Sequence, residues 1–179
     1  MVESVSAVLT PWSNFYILTG SAAGALTGLM FVVITLVFGA ERETRNSDGF
    51  ATFSTPTVVH FCAALFAAMM LNVPWHSLLY PAGVLGLLGL CGIAYAVHLM
   101  SRTKRLTAYN PDLEDWTWYT VLPFVAYGAI LAGALLLLRI PVEAMFPLAG
   151  GVVVLIFIGI RNAWDVVTYI AIGNSDISG

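Results

Sequence analysis

The sequence predicts an all-α protein, a polytopic transmembrane helical bundle, and three observations support this fold class. Hydrophobic residues make up 59% of the 179 residues and charged residues only 9%. The mean hydropathy is +0.88. A soluble domain carries about 25% charged residues, so this chain has too few charges to coat a globule of its size. Its apolar runs also reach the ~20 residues that a helix needs to cross ~30 Å of hydrocarbon.

Five apolar segments meet that length, and we expect them to form a single integral membrane domain over residues 1–179. The predicted spans are 14–39, 54–73, 79–100, 117–138 and 144–171. The first run is too long for the hydrophobic region of a signal peptide, so we expect it to be retained as a span. In an alternative with four spans, the last segment lies along the membrane interface.

The basic residues predict the orientation of these spans. With five spans, two polar loops share one side of the membrane, and they contain Arg42, Arg45, Arg102, Lys104 and Arg105; the other side has Arg139. The positive-inside rule therefore predicts a multi-pass protein of the plasma (inner) membrane, with its N-terminus outside and its C-terminus in the cytoplasm. Aromatic residues are expected to anchor the outer edge: Trp12, Tyr16, Trp75 and Tyr80.

Composition and motifs argue against several classes of function. The net charge of −3 and the lack of a Lys/Arg run argue against a nucleic-acid partner. The sequence has no nucleophile–base pattern, phosphate-binding loop, CxxC or HExxH motif, so we do not expect an enzyme or a metal site. Cys62 and Cys91 lie in apolar runs and are expected to act as small buried hydrophobes.

Glycine repeats in the first and third spans predict close helix packing. Gly20, Gly24 and Gly28 recur every fourth residue, and the third span has glycines three residues apart at Gly83, Gly86, Gly89 and Gly92. In lipid, such small-residue stripes let two helix backbones approach closely. Two interpretations stay open: packing within the chain, or an interface in a homo-oligomer or a larger membrane complex.

The first span also carries a family resemblance. The stretch "GSAAGALTGLMFVVITL", 17 residues from Gly20, resembles the first span of a group of small uncharacterised bacterial membrane proteins. The resemblance implies a bacterial inner-membrane protein and no particular activity.

Two histidines lie inside predicted spans, where an ionisable side chain is costly and calls for a reason. His60 is about one turn into the second span, and His98 is about one turn before the end of the third. Because these spans are joined by a short turn, we expect the two histidines at similar depth. Tyr95 is three residues before His98 and lies on nearly the same helix face.

The last span brings charged residues to the same depth. Arg161, Asp165 and Thr168 are three to four residues apart, so they lie on one stripe of a helix. In one interpretation, Arg161 reaches the cytoplasmic interface beside its ion-pair partner. In the other, Arg161 and Asp165 join His60 and His98 in a buried cluster that conducts ions or protons.

Three hypotheses about function follow, and all share a lipid environment. The first is an ion- or proton-conducting channel or transporter, because the ordinary pKa of histidine lies near physiological pH. The second is a non-catalytic accessory subunit of a larger membrane complex. The third is a redox subunit with a b-type haem, whose axial ligands would be His60 and His98; apart from that haem, no cofactor is expected. A zinc site at His60 and Cys62 is not expected, because residues two apart point to nearly opposite sides of a helix.

Overall fold

The computed structural model describes residues 5–40, 47–103 and 117–173, and every regular element in these ranges is helical. The predicted all-α class is therefore confirmed. A 3₁₀ turn at Thr10–Trp12 joins the first two helices, and a π-helical segment at Thr117–Val121 leads into the fifth. The helices are α1 (Val5–Leu9), α2 (Ser13–Ala40), α3 (Ser47–Asn72), α4 (Leu79–Thr103), α5 (Leu122–Leu136) and α6 (Pro141–Gly173).

Four of the described helical stretches are long and apolar enough to cross a membrane, so the protein is membrane-embedded. They are Val5–Thr35, Thr55–Asn72, Leu79–Ser101 and Pro141–Asp165. The last predicted segment is thus one of the four, and the helix that falls short is α5, with 15 residues. Pro123 near its start supplies no amide hydrogen, which fits the wider π-helical turn that precedes it.

The bundle has two unlike ends. At the short-turn end, residues 73–78 connect α3 to α4 and residues 137–140 connect α5 to α6. The opposite end is called the basic-loop end, because the stretches 41–46 and 104–116 connect helices there. These two stretches lie outside the described residues, together with the predicted orientation signals Arg42, Arg45, Lys104 and Arg105. Orientation in the membrane stays a prediction.

Packing follows an order that differs from the order along the chain. The closest neighbours are α2 with α3, α3 with α6, α6 with α5, and α5 with α4. The α3–α4 hairpin makes little contact between its own two helices. Glycines explain the tight α5–α6 approach, because a Cβ added to Gly133 would lie 2.6 Å from Cγ of Leu148. One added to Gly151 would lie 2.7 Å from Cγ1 of Ile130.

The glycine stripe of α2 packs within the chain at one end only. A Cβ on Gly20 would lie 3.0 Å from Cβ of Ala68, and one on Gly24 would lie 3.8 Å from Leu65. Around Gly28 the space is open. The stripe therefore faces α3 near the short-turn end and leaves an unpacked position toward the basic-loop end.

The glycines of α4 are packed more tightly with increasing distance from the short-turn end, the reverse of α2. Gly83 faces open space and Gly86 has Ala134 at an ordinary 3.8 Å. An added Cβ would collide at Gly89, 2.8 Å from Cβ of Leu131, and at Gly92. The closest approach to α5 therefore lies near the middle of α4, at Gly89 and Gly92.

The half of the bundle near the short-turn end has an apolar core. One tyrosine, Tyr16, is part of it: its side chain is 1% exposed and its hydroxyl donates to the carbonyl oxygen of Met145 at 3.5 Å. The prediction that Tyr16 anchors the membrane edge is wrong, because α6 covers it. The other core side chains here include Leu71, Leu85, Leu137, Met145 and Leu148.

Candidate polar site at the basic-loop end

A buried histidine–tyrosine pair is the centre of the polar residues in this half of the bundle. Nδ1 of His60 on α3 lies 3.0 Å from the hydroxyl of Tyr127 on α5. The two residues are 2% and 1% exposed. Their rings are tilted, with centroids 5.7 Å apart. A hydrogen bond between two side chains of this kind satisfies groups that would be costly to bury alone.

Three helices hold this pair in place. Tyr127 lies against Gly92 of α4, where an added Cβ would be 2.0 Å from its Cδ1. Only glycine leaves room for the ring at that position. Tyr95, three residues further along α4, places its ring edge-on to His60 with centroids 6.4 Å apart. The tyrosine of α5 thus fills the space between α4 and α3, which have few direct contacts.

Two more polar side chains are buried near the pair. Thr57, one turn before His60 on α3, is 0% exposed. Asn162 on α6 is 2% exposed, and neither its Oδ1 nor its Nδ2 has a hydrogen-bond partner among the described residues. A buried carboxamide has two donors and an acceptor oxygen, so an arrangement that leaves all of them unused calls for an explanation.

Contrary to the prediction, the structure does not bring His60 and His98 together in one buried site. His60 is buried, whereas the side chain of His98 is exposed on α4. The reason is the packing order: α4 lies mainly against α5, so the hairpin does not bring its two histidine-bearing faces together. The aromatic neighbours of His60 are Tyr95 and Tyr127 instead. Tyr95 was predicted, and it does lie beside His60.

The predicted ion pair is present, but it lies at the edge of the bundle. Arg161 and Asp165 form a salt bridge one turn apart on α6, and each side chain is about a third exposed, at 32% and 35%. Thr168 bonds to its own helix, because its hydroxyl donates to the carbonyl oxygens of Trp164 and Asp165. These three residues form a half-buried stripe beside the buried pair.

The residues considered for metal or haem binding lie in different surroundings in the described part of the chain. In that part, no group of three His, Cys, Asp or Glu side chains could hold a metal ion. Cys62 is exposed while His60 is buried. A haem bound by both His60 and His98 would need one ligand from a buried position and the other from an exposed position. Nδ1 of His60 already bonds Tyr127, and two tyrosine rings lie next to the imidazole.

Sequence reasoning missed Tyr127, and it placed Asn162 at this depth without including it in the predicted cluster. Tyr127 does have a signal, since it is the one polar side chain between residues 121 and 138 of the fourth apolar segment. Asn162 lies on a different side of the helix from the stripe that contains Arg161 and Asp165. Comparison of the chain with protein-family models, curated proteins and solved structures found no match.

Proposed function

We propose that this membrane protein conducts protons or small ions and that His60 and Tyr127 are the residues that bind the transported proton. One observation supports the proposal above others: an ionisable ring and a hydroxyl, both buried, bond at 3.0 Å inside an apolar bundle. Buried ionisable residues in membrane proteins most often mark ion or proton pathways. The proposal assigns no catalytic reaction to the chain.

The chemistry of the pair suits a proton that must arrive and leave. Histidine has two ring nitrogens, and a tyrosine hydroxyl both donates and accepts. The bond to Tyr127 engages Nδ1 of His60, so Nε2 is the nitrogen left to take up or release a proton. Which nitrogen carries the hydrogen depends on the tautomer, and the tyrosine hydroxyl accommodates both tautomers.

Conduction also needs a route through the apolar half of the bundle, and we propose that copies of the chain form it together. Gly28 on α2 and Gly83 on α4 face open space. Small residues on membrane helices favour contact with another helix, so these positions suit an interface between copies. In the plasma membrane, with the basic loops inside, the pair would lie nearer the cytoplasmic face.

Flux into liposomes tests this proposal. We expect the purified protein to carry a proton flux above that of empty vesicles, and His60→Leu to lose most of it. His76→Leu is the matched control, because His76 is exposed in the 73–78 turn. The proposal is overturned if the protein carries no flux of protons or small cations, or if His60→Leu leaves the flux unchanged.

A second candidate, an accessory subunit of a larger membrane complex, is favoured by the same two open glycines. Their exposed helix faces would then dock a different membrane protein. Purification in mild detergent separates the candidates. A single species at a whole multiple of the chain mass supports the assembly of copies. Foreign chains in fixed proportion support the accessory role.

A further inference from the structure

Asn162 differs from every other buried polar side chain that the structure describes near this site. His60 bonds Tyr127, and Thr57 has an interaction of its own. Asn162 is as deeply buried, yet both polar atoms of its side chain lack a partner among the described residues. Its neighbours on α6 do not share this burial, since Arg161 and Asp165 lie at the edge and pair with each other. The carboxamide therefore points into the bundle while the charges point away.

The register of α6 against α3 gives the depth of Asn162. Phe61 packs on Gly159, where an added Cβ would lie 2.3 Å from its Cε1. The two helices run in opposite directions with the same rise of about 1.5 Å per residue. Asn162, three residues beyond Gly159, therefore lies level with the α3 turn that contains Thr57 and His60. One layer of the bundle thus holds a hydroxyl, an imidazole and an unpartnered carboxamide.

The unpartnered carboxamide of Asn162 favours a bound ligand at this level of the bundle. A buried polar group without a partner has lost its hydrogen bonds to water and has gained none in exchange, which is energetically unfavourable. Water can satisfy such a group because it both donates and accepts hydrogen bonds. A buried water typically makes about three hydrogen bonds to buried polar groups of the protein.

We propose that Asn162 is a water-binding site between α3 and α6 and that this water connects the His60–Tyr127 pair to the basic-loop end. The connecting role depends on the proposed function, whereas the binding of water does not. Asn162 acts here as a positioning residue, because it holds the water that a proton would cross before reaching His60.

Water-edited solid-state NMR of the whole protein in lipid bilayers tests the site directly. With asparagine side chains labelled with nitrogen-15, the carboxamide of Asn162 is identified by its loss in Asn162→Leu. We expect it to receive polarisation from water at a rate within about threefold of exposed Asn14, as a group bonded to water would. A carboxamide that receives polarisation only through the protein, or one bonded to Thr57 without contact to water, overturns the proposal.

Hydrogen–deuterium exchange at the His60 ring tests the connection. We expect Asn162→Leu to slow this exchange about tenfold, which corresponds to about 1.4 kcal/mol. Asn162→Ser keeps a polar group and adds room, so exchange should stay close to that of the original protein. Equal exchange in both variants overturns the connecting role. If water contact is found and His60→Leu leaves the proton flux unchanged, the proposed function fails while the water site stands.

Discussion

Two buried tyrosines of this bundle have the same burial and different partners. Tyr16 and Tyr127 are each 1% exposed. Tyr16 makes a long 3.5 Å bond to the backbone carbonyl of Met145, whereas Tyr127 makes a 3.0 Å bond to the ring of His60. Tyr16 needs a partner only because it is covered by α6. Tyr127 gives a buried ionisable side chain its partner, and burial alone does not distinguish these two settings.

The difference extends to the halves of the bundle in which the two tyrosines lie. The rings beside Tyr16 are aromatic: the ring centroids of Phe15 and Trp12 lie 5.0 and 6.3 Å from its own. Around Tyr127 the buried residues include Thr57 and His60, with Asn162 on the next helix. A membrane bundle gains little from polar side chains in its core, because lipid supplies no water to balance them. The polar half is therefore where function is to be sought.

Crowding Tyr127 should have the largest effect on stability. Gly92→Ala places a Cβ inside the space of the Tyr127 ring, and overpacking of a core typically costs about 1–3 kcal/mol. We expect a lower free energy of unfolding in detergent and a weakened His60–Tyr127 bond. Gly83→Ala adds the same methyl group in open space and should leave stability nearly unchanged. Equal stability of the two variants would contradict the close contact between Gly92 and Tyr127.

Removing each tyrosine hydroxyl tests the comparison itself. Tyr127→Phe leaves Nδ1 of His60 without its partner, and an unsatisfied buried group costs about 1–3 kcal/mol. Tyr16→Phe removes only a long bond to a carbonyl that its own helix can use, so a smaller loss is expected. Unfolding measurements on both variants give the two losses. A greater loss for Tyr16→Phe would contradict the expectation that the bond of Tyr127 to His60 is the stronger of the two.

Breaking the ion pair should cost less than either change near Tyr127. Arg161 and Asp165 are each about a third exposed, and pairs of this kind are typically worth about 0.2–1 kcal/mol. We expect Asp165→Asn to shift stability by no more than this, and the shift should shrink as salt is raised. A loss as large as that of Tyr127→Phe, and independent of salt, would place the pair inside the buried site.

Thr168→Val should have the smallest effect of the series. Its hydroxyl bonds only to carbonyls of its own helix, so its removal leaves no side chain of the polar site without a partner. A change within about 0.5 kcal/mol is expected in the same unfolding measurement. A larger loss of unfolding free energy would indicate that Thr168 interacts with the buried polar residues.

The fold class could be predicted because the hydrocarbon of a membrane strongly limits the backbone structures that can cross it. Every backbone polar group in hydrocarbon must bond internally, so long apolar runs become helices. The spans 79–100 and 144–171 accordingly lie within α4 and α6. The predicted span 117–138 contains the π-helical segment and α5, but hydropathy could not show that its first turn is π-helical.

The candidate site could be predicted only in part, because hydropathy does not show which helices pack against each other. His60 and Tyr95 were expected together and lie together. His98 was expected with them because spans joined by a short turn usually pack, yet here α4 packs on α5. Helix order depends on side-chain fit at positions such as Gly92, where a single missing methyl group admits the Tyr127 ring.

The shortness of α5 has a consequence for the lipid around the protein. Its 15 residues reach about 22 Å, and the π-helical segment Thr117–Val121, which runs directly into α5, supplies most of the remaining length of a ~30 Å hydrocarbon layer. Val125 and Leu135 on this helix are exposed, at 54% and 62%. The apolar stretch of α6, Pro141–Asp165, is longer and suits a thicker hydrocarbon layer. The hydrophobic height of the bundle is therefore smaller on the α5 side, and phospholipid with shorter acyl chains should match that side better than phospholipid with longer ones.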